Sequence, residues 1–258
     1  MDFRGMCCTG WRYGGTMALK QAQEVRATMR KTLVMIPAFG CDAGLCDGGG
    51  RWAQAVEVRD HIAAEDNYAA MVAKVLAAAP ERFSVLGTSM GGRLALEVAL
   101  AAPDRVEGLV VIGAGAGAVA DQAAGLRRSS RIRGGEKQQV LIEMGNMIAH
   151  LPGPRGPATR EAFISMAQAM DPETLARQSD ALAHRTDKWG RLGGIGCPVL
   201  CLWGVHDQFS PAADGRRIAT AVPRGEYVEL PECGHFPTLE YPEETAAALE
   251  RWLQAAVV

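Results

Sequence analysis

Ser89 stands in Gly87-Thr88-Ser89-Met90-Gly91-Gly92, directly after the apolar run Phe83–Leu86 and before a helical pattern that begins at Met90. This is G-x-S-x-G at a strand-to-helix turn, the setting in which the pattern carries chemical meaning. A serine raised on so sharp a turn presents its hydroxyl, and Gly87 and Gly91 remove side chains that would collide beside it. The helix N-terminus behind it favours negative charge at a reacting oxygen. A serine hydroxyl is a weak nucleophile near neutral pH and needs a base. Of the five histidines, His61 follows a strand-like stretch, His150 and His184 fall among helical patterns, and His206 precedes Asp207. His235, in Glu232-Cys-Gly-His-Phe-Pro237, lies after the last strand-like run and before the last helical one, which makes it the candidate base. The base needs a carboxylate to orient it, and Asp207 follows Val199–Trp203 in Trp203-Gly-Val-His-Asp207. The order Ser89, Asp207, His235, each after a strand, points to nucleophilic acyl chemistry. The charge that develops on the attacked carbonyl oxygen calls for two backbone N–H donors. Met90 and Phe39, the latter in Pro37-Ala-Phe-Gly40, are expected to supply them.

These residues require a particular frame. Apolar runs recur at Leu33–Ile36, Val56–Val58, Phe83–Leu86, Leu109–Ile112, Val199–Trp203 and Tyr227–Leu230. Helical patterns lie between and after them, at 68–79, 90–102, 211–221 and 242–256, and one of good helix formers precedes them at 16–31. Such alternation predicts an α/β fold with a mostly parallel, doubly wound sheet. From 117 to 190 the strands stop, and helical patterns at 136–150, 160–170 and 172–184 flank the Pro- and Gly-rich segment 151–157. The expected organisation is an extension over 1–31, a core over 32–116 and 191–258, and a small helical cap over 117–190, inserted after the strand near 106–112. Met144 and Met147 of the cap, with Phe209 and Phe236 of the core loops, are the expected lining of a substrate pocket.

Composition narrows the function classes. The 258 residues are 48% hydrophobic and 22% charged, ordinary for a globular chain. A net charge of −2 provides no basic field for nucleic acid or anionic lipid. No apolar run reaches the roughly 18 residues that span a bilayer. The seven cysteines lack the paired spacing of a zinc site and read as reduced thiols of a cytoplasmic protein. No metal and no cofactor is expected. Gly113-Ala-Gly-Ala-Gly-Ala118 fits a dinucleotide-binding fingerprint in form, but arginines occupy the region about 20 residues on where an acidic residue is required. Arg127, Arg128, Arg131 and Arg133 could meet an acidic substrate, although a solvated basic helix face is the expected reading. Arg177-Gln178 and Arg185-x-Asp187 are candidates to latch the cap to the core. Residues 1–31 read as a tail or the product of an upstream start, with Met17 and Met29 as alternative starts.

Across 32–256 the chain resembles the serine hydrolases of the α/β-hydrolase fold. The resemblance rests on Ile36-Pro-Ala-Phe-Gly-Cys-Asp42, Gly87-Thr-Ser-Met-Gly-Gly92, Pro103-Asp-Arg-Val106, Cys197-Pro-Val-Leu200, Gly204-Val-His-Asp207, and Cys233-Gly-His235 through Glu240-Tyr-Pro242. Within that group it is similar to bacterial carboxylesterases related to pimeloyl-carrier-protein methyl esterase. The resemblance implies a triad of Ser89, Asp207 and His235, an oxyanion hole at Phe39 and Met90, and small or medium ester-like substrates handled by a monomer or homodimer. It equally admits C–C bond hydrolases, thioesterases, lactonases and acyltransferases, and a non-catalytic binding protein of the same fold is the remaining class. The chain departs from the branch in three places. Pro37-Ala38 replaces a common His-Gly, the glycine-rich segment 45–52 replaces a helix, and nothing before Thr32 resembles the opening hairpin of the full fold.

Overall fold

The six apolar runs become six strands whose successive side chains face opposite sides of one sheet. The structure, a computed structural model, describes residues 31–46 and 52–256. The helix expected over 16–31, apart from Lys31, and the Gly48–Gly50 cluster lie outside those residues. The strands are β1 Thr32–Ile36, β2 Glu57–Asp60, β3 Phe83–Thr88, β4 Val106–Ile112, β5 Val199–Gly204 and β6 Gly225–Leu230. They form a wholly parallel sheet in the order β2-β1-β3-β4-β5-β6. Along β1, Val34 and Ile36 join one core layer while Leu33 and Met35 join the other. β5 divides likewise, Cys201 and Trp203 on one face and Leu200 and Leu202 on the other. Burial on both faces is why these strands read as continuous apolar runs. β2 is the exception. It begins one residue later than the run Val56–Val58, pairs only with β1, and is largely exposed because it is an edge.

Helices α1 Tyr68–Ala78, α2 Met90–Ala101, α7 Ala212–Ala221 and α8 Pro242–Ala256 flank the sheet. Met71 and Val75 of α1, Leu94 and Val98 of α2 and Ile218 of α7 pack into one layer, and Leu249 and Trp252 of α8 into the other. Between β4 and β5 run α3 Gln122–Arg131, a wide turn at Ile132–Glu136, α4 Lys137–Ile148, α5 Gly156–Ala169 and α6 Pro172–Ala183. Single turns occur at Ala43–Cys46, Trp52–Ala55, Trp189–Gly194 and Pro237–Glu240. Asp121 and Asp171 cap α3 and α6 by accepting from the Ala124 N–H at 3.0 Å and the Thr174 N–H at 2.9 Å. Among the described residues no helix is long and apolar enough to cross a membrane.

The helical stretch is tied to the sheet by polar groups that are themselves buried. Gln178 of α6 accepts from the Gly40 N–H at 2.9 Å and donates to the Ala63 carbonyl at 2.6 Å. Gln178 therefore joins α6 to the segments that follow β1 and β2. Arg93 of α2 is 1% exposed. Its Nε meets Glu97 at 2.9 Å, one terminal nitrogen donates to the Gly117 carbonyl at 2.9 Å, and the other to the Thr186 carbonyl. One guanidinium thus holds both the exit from the sheet and the return to it. Arg93→Met is expected to lower unfolding stability by about 3–5 kcal/mol, toward the lower end because Lys188 still faces Glu97 at 3.5 Å. A urea midpoint unchanged from wild type would contradict this.

Candidate active site

Sheet order dictates where a site forms. The order of strands reverses between β1 and β3, and in open parallel sheets ligands enter at such a switch, beyond the carboxyl ends of the strands. Ile36 pairs with Gly87, so the loop after β1 and the turn after β3 stand side by side. Ser89 occupies that turn with φ +55° and ψ −115°, and is the lone non-glycine at positive φ among the described residues. A backbone of this kind costs about 1–3 kcal/mol and persists only where its surroundings enforce it. Here the Ser89 N–H donates to the Ile112 carbonyl at 2.7 Å, and its carbonyl accepts from the Arg93 N–H at 2.9 Å. The turn is also packed backbone against backbone. A Cβ on Gly87 would lie 2.0 Å from the Gly91 carbonyl oxygen, and one on Gly91 would lie 2.0 Å from that of Ile36.

Asp207 follows β5 and His235 follows β6, and the two meet Ser89 across the end of β4. Asp207 Oδ2 lies 2.7 Å from His235 Nδ1, and His235 Nε2 lies 2.7 Å from Ser89 Oγ. Asp207 Oδ1 accepts from the Phe209 and Ser210 N–H groups at 2.8 and 2.9 Å, so both carboxylate oxygens are engaged. The Asp207 and His235 side chains are 1% and 3% exposed, which removes most solvent screening from their interaction. The crossing is possible because Gly113 follows directly on β4. A Cβ there would lie 3.1 Å from both Asp207 Oδ2 and His235 Nδ1. Gly113 therefore serves the site by lacking a side chain, whereas Gly115 and Gly117 lie against Asp214 and Trp189.

Ser89 and His235 open into a cavity of about 190 Å³ whose walls include Phe39 and Met90. Met90 is the first residue of α2, where the backbone N–H has no intrahelical acceptor. Of the four expected pocket residues, Met144, Phe209 and Phe236 line the cavity. The rings of Phe209 and Phe236 lie 5.1 and 5.3 Å from the imidazole of His235. Met147 is a correction. The buried stripe of α4 runs through Val140, Leu141, Met144, Gly145 and Ile148, and Met147 falls off it, 41% exposed.

The fold gathers His150, His206 and Glu232 outside this cavity, with ligand atoms within 4.8 Å of one another and the two imidazoles stacked at 3.9 Å. This group joins three loops, and no local spacing in the sequence announces it. The thiols Cys41, Cys201 and Cys233 are buried, and burial pushes each up, Cys201 to about 12. Burial favours the protonated form of these core-packed thiols.

Residues 7–248 match the model of the alpha/beta hydrolase family. The chain is 27% identical, over 66% of its own length and 71% of the relative's, to a pimeloyl-[acyl-carrier protein] methyl ester esterase of Nitrosomonas europaea. It is 28% identical to a 2-hydroxy-6-oxononadienedioate/2-hydroxy-6-oxononatrienedioate hydrolase of Cupriavidus pinatubonensis, over 62% of this chain and 58% of that one. A thermophilic esterase from Thermogutta terrifontis superimposes with a TM-score of 0.77 at 22% identity, over 88% of this chain and 91% of that one, a likeness of fold.

One residue of the site went unread in the sequence. Glu240, 3% exposed, accepts through Oε2 from the Gly234 and His150 N–H groups, each at 3.0 Å, while Oε1 is buried without a partner among the described residues. The His235 N–H donates to the Ile148 carbonyl at 2.8 Å, so the loop that carries the imidazole is fastened on both sides to the end of α4. Burial pushes the Glu240 carboxyl up, against the pull of the N–H groups that bond its charged form. An acid with a higher pKa folded than unfolded contributes fully below its unfolded value, about 4.3, and loses that contribution as pH rises through the folded value. Wild type should therefore lose stability relative to Glu240→Gln as pH rises from about 4 toward neutrality. Melting temperatures of the two proteins across that range check this, and a difference that moves the opposite way would contradict it.

Proposed function

Because the chain belongs to the alpha/beta hydrolase family, we propose that it is a serine hydrolase that cleaves small to medium carboxylic esters through an acyl-enzyme on Ser89. The observation that carries this reading is the continuous chain of hydrogen bonds from Ser89 Oγ through His235 to Asp207, both links at 2.7 Å. With Nδ1–H donated to Asp207, Nε2 is left as the acceptor for the serine proton. Ser89 Oγ attacks the ester carbonyl as His235 takes its proton, and the Phe39 and Met90 N–H groups stabilise the oxyanion. His235 then protonates the departing alcohol and activates the water that releases the acid. Asp207 stays ionised and stabilises the imidazolium. Side chains and water complete this chemistry.

In this reading residues 117–190 form a cap over a core of 32–116 and 191–258, with Met144 reaching the cavity from the cap. The small cavity and its apolar wall of Met144, Phe209 and Phe236 support short acyl groups. Buried thiols with raised pKa suit a reducing, cytoplasmic setting. The Cupriavidus relative favours a second reading, C–C bond hydrolysis by the same triad.

A fluorophosphonate probe should label Ser89, located by peptide mass. Ser89→Ala should lose labelling and at least about 10⁴-fold in ester turnover while keeping its circular dichroism. An intact wild type with no adduct at Ser89 would refute the proposal. Across a series of p-nitrophenyl esters, kcat/KM is expected to peak at acyl chains shorter than dodecanoyl, and a peak at dodecanoyl or beyond would contradict the size assignment.

A further inference from the structure

The basic run on α3 is not a uniform solvated face. Arg127 pairs with Asp121 at 3.3 Å, Arg131 with Glu136 and Glu143 at 2.8 and 2.7 Å, and Arg133 with Glu173 and Asp180 at 2.9 Å each. Arg128 differs from all three. It turns inward, its Nε donates to Ser179 Oγ at 2.7 Å, and its guanidinium lies 5.3 Å from the centre of the Phe39 ring. Its terminal nitrogens have no acceptor among the described residues, and it lines the same cavity as Ser89. Arg185 lines that cavity too, with a buried Nε that has no partner among the described residues. Among the described residues neither guanidinium has a carboxylate within ion-pair distance, although every other arginine on the run does.

Two cations facing one small cavity are costly. Burial pulls Arg128 down to about 10, Arg185 adds to that, and Arg185 is itself lowered by burial. Uncompensated charge in such a place calls for an opposite charge, and the protein supplies little. Asp121 lines the cavity but is engaged by Arg127 and by the cap of α3. Asp214 is close enough to act on Arg185 electrostatically yet forms no ion pair with it. The guanidinium fork is suited to a carboxylate. The cavity of about 190 Å³ favours a small guest.

We propose that Arg128 and Arg185 form an anion subsite inside the Ser89 cavity, and that the substrate is a short ester carrying a free carboxylate, of the class of dicarboxylic acid monoesters. This rests on the reading of Ser89 as a nucleophile. Its position beside Phe39 gives the subsite a role in alignment, because a carboxylate held there fixes the ester relative to the oxyanion loop. Arg93 lines the same wall but is fully engaged with Glu97, Gly117 and Thr186, and so belongs to the scaffold.

The test compares monoethyl glutarate with ethyl pentanoate, which differ in a terminal carboxylate against a methyl group. Steady-state kcat and KM are measured for wild type, Arg128→Gln and Arg185→Gln. Wild type should have the higher kcat/KM for monoethyl glutarate. Each variant should lower that preference by about 10- to 100-fold, mainly through KM. A wild type that prefers ethyl pentanoate, or folded variants with an unchanged preference, would overturn the subsite. If either variant fails to fold, glutarate competition against ethyl pentanoate in wild type decides, since competitive inhibition supports the subsite and its absence refutes it. Fluorophosphonate labelling separates the two levels. A labelled Ser89 without carboxylate preference removes the subsite alone, whereas an unlabelled Ser89 removes the hydrolase reading beneath it.

Discussion

The backbone of Ser89, held at positive φ between a strand and a helix, is the constraint around which the rest of the molecule is arranged. It cannot be maintained locally, since serine does not favour that conformation. It is maintained by a sheet whose β1 and β3 lie side by side, by a hydrogen bond from Ser89 N–H to the end of β4, and by glycine backbones in contact around the turn. The absence of a side chain at Gly113 matters for the same reason. It opens the path by which groups after β5 and β6 reach the hydroxyl over an intervening strand.

The parts of this arrangement that sequence reveals are those written in short segments. The G-x-S-x-G turn, the apolar runs of β1, β3 and β5, and the Asp207 and His235 loops each carry a local signature, so the sheet and the three residues that it brings into hydrogen-bond contact were legible. Glu240 was not. In Pro237-Thr-Leu-Glu240 it looks like an ordinary helix acid, and one of the groups it satisfies, the His150 N–H, is 90 residues away in sequence. Arg128 was hidden by its neighbours, because four arginines within seven positions read as one solvated face until the helix shows which of them turns inward. Met147 and Met144 differ only in which side of α4 they occupy. Pairings and facings of this kind arise from tertiary contact, to which local pattern is blind.

The helices between β4 and β5 belong to the site in an electrostatic sense as well as a steric one. They bring Arg128 to the cavity wall and place Ser179 beneath it, while the return to the sheet brings Arg185. Two basic groups thus line the same cavity as the strained serine, while Asp207 is committed to His235. Arg93 has the same chemistry but is neutralised within the scaffold. Three arginines close in space therefore divide into one that holds the fold and two whose charge is left to the cavity.

The fastening of the His235 loop to α4 has a consequence for how such a chain can diversify. Glu240 and the end of α4 lie about 90 residues apart in the sequence but share hydrogen bonds with Gly234, His150 and His235. On the α4 side both of these groups are main-chain, the His150 N–H and the Ile148 carbonyl, so a replacement segment would keep the bonds only if its backbone ended in the same place. What the seam demands of a substitute is therefore a backbone path and not a set of side chains, which leaves the residues of the segment free to vary while its course is held.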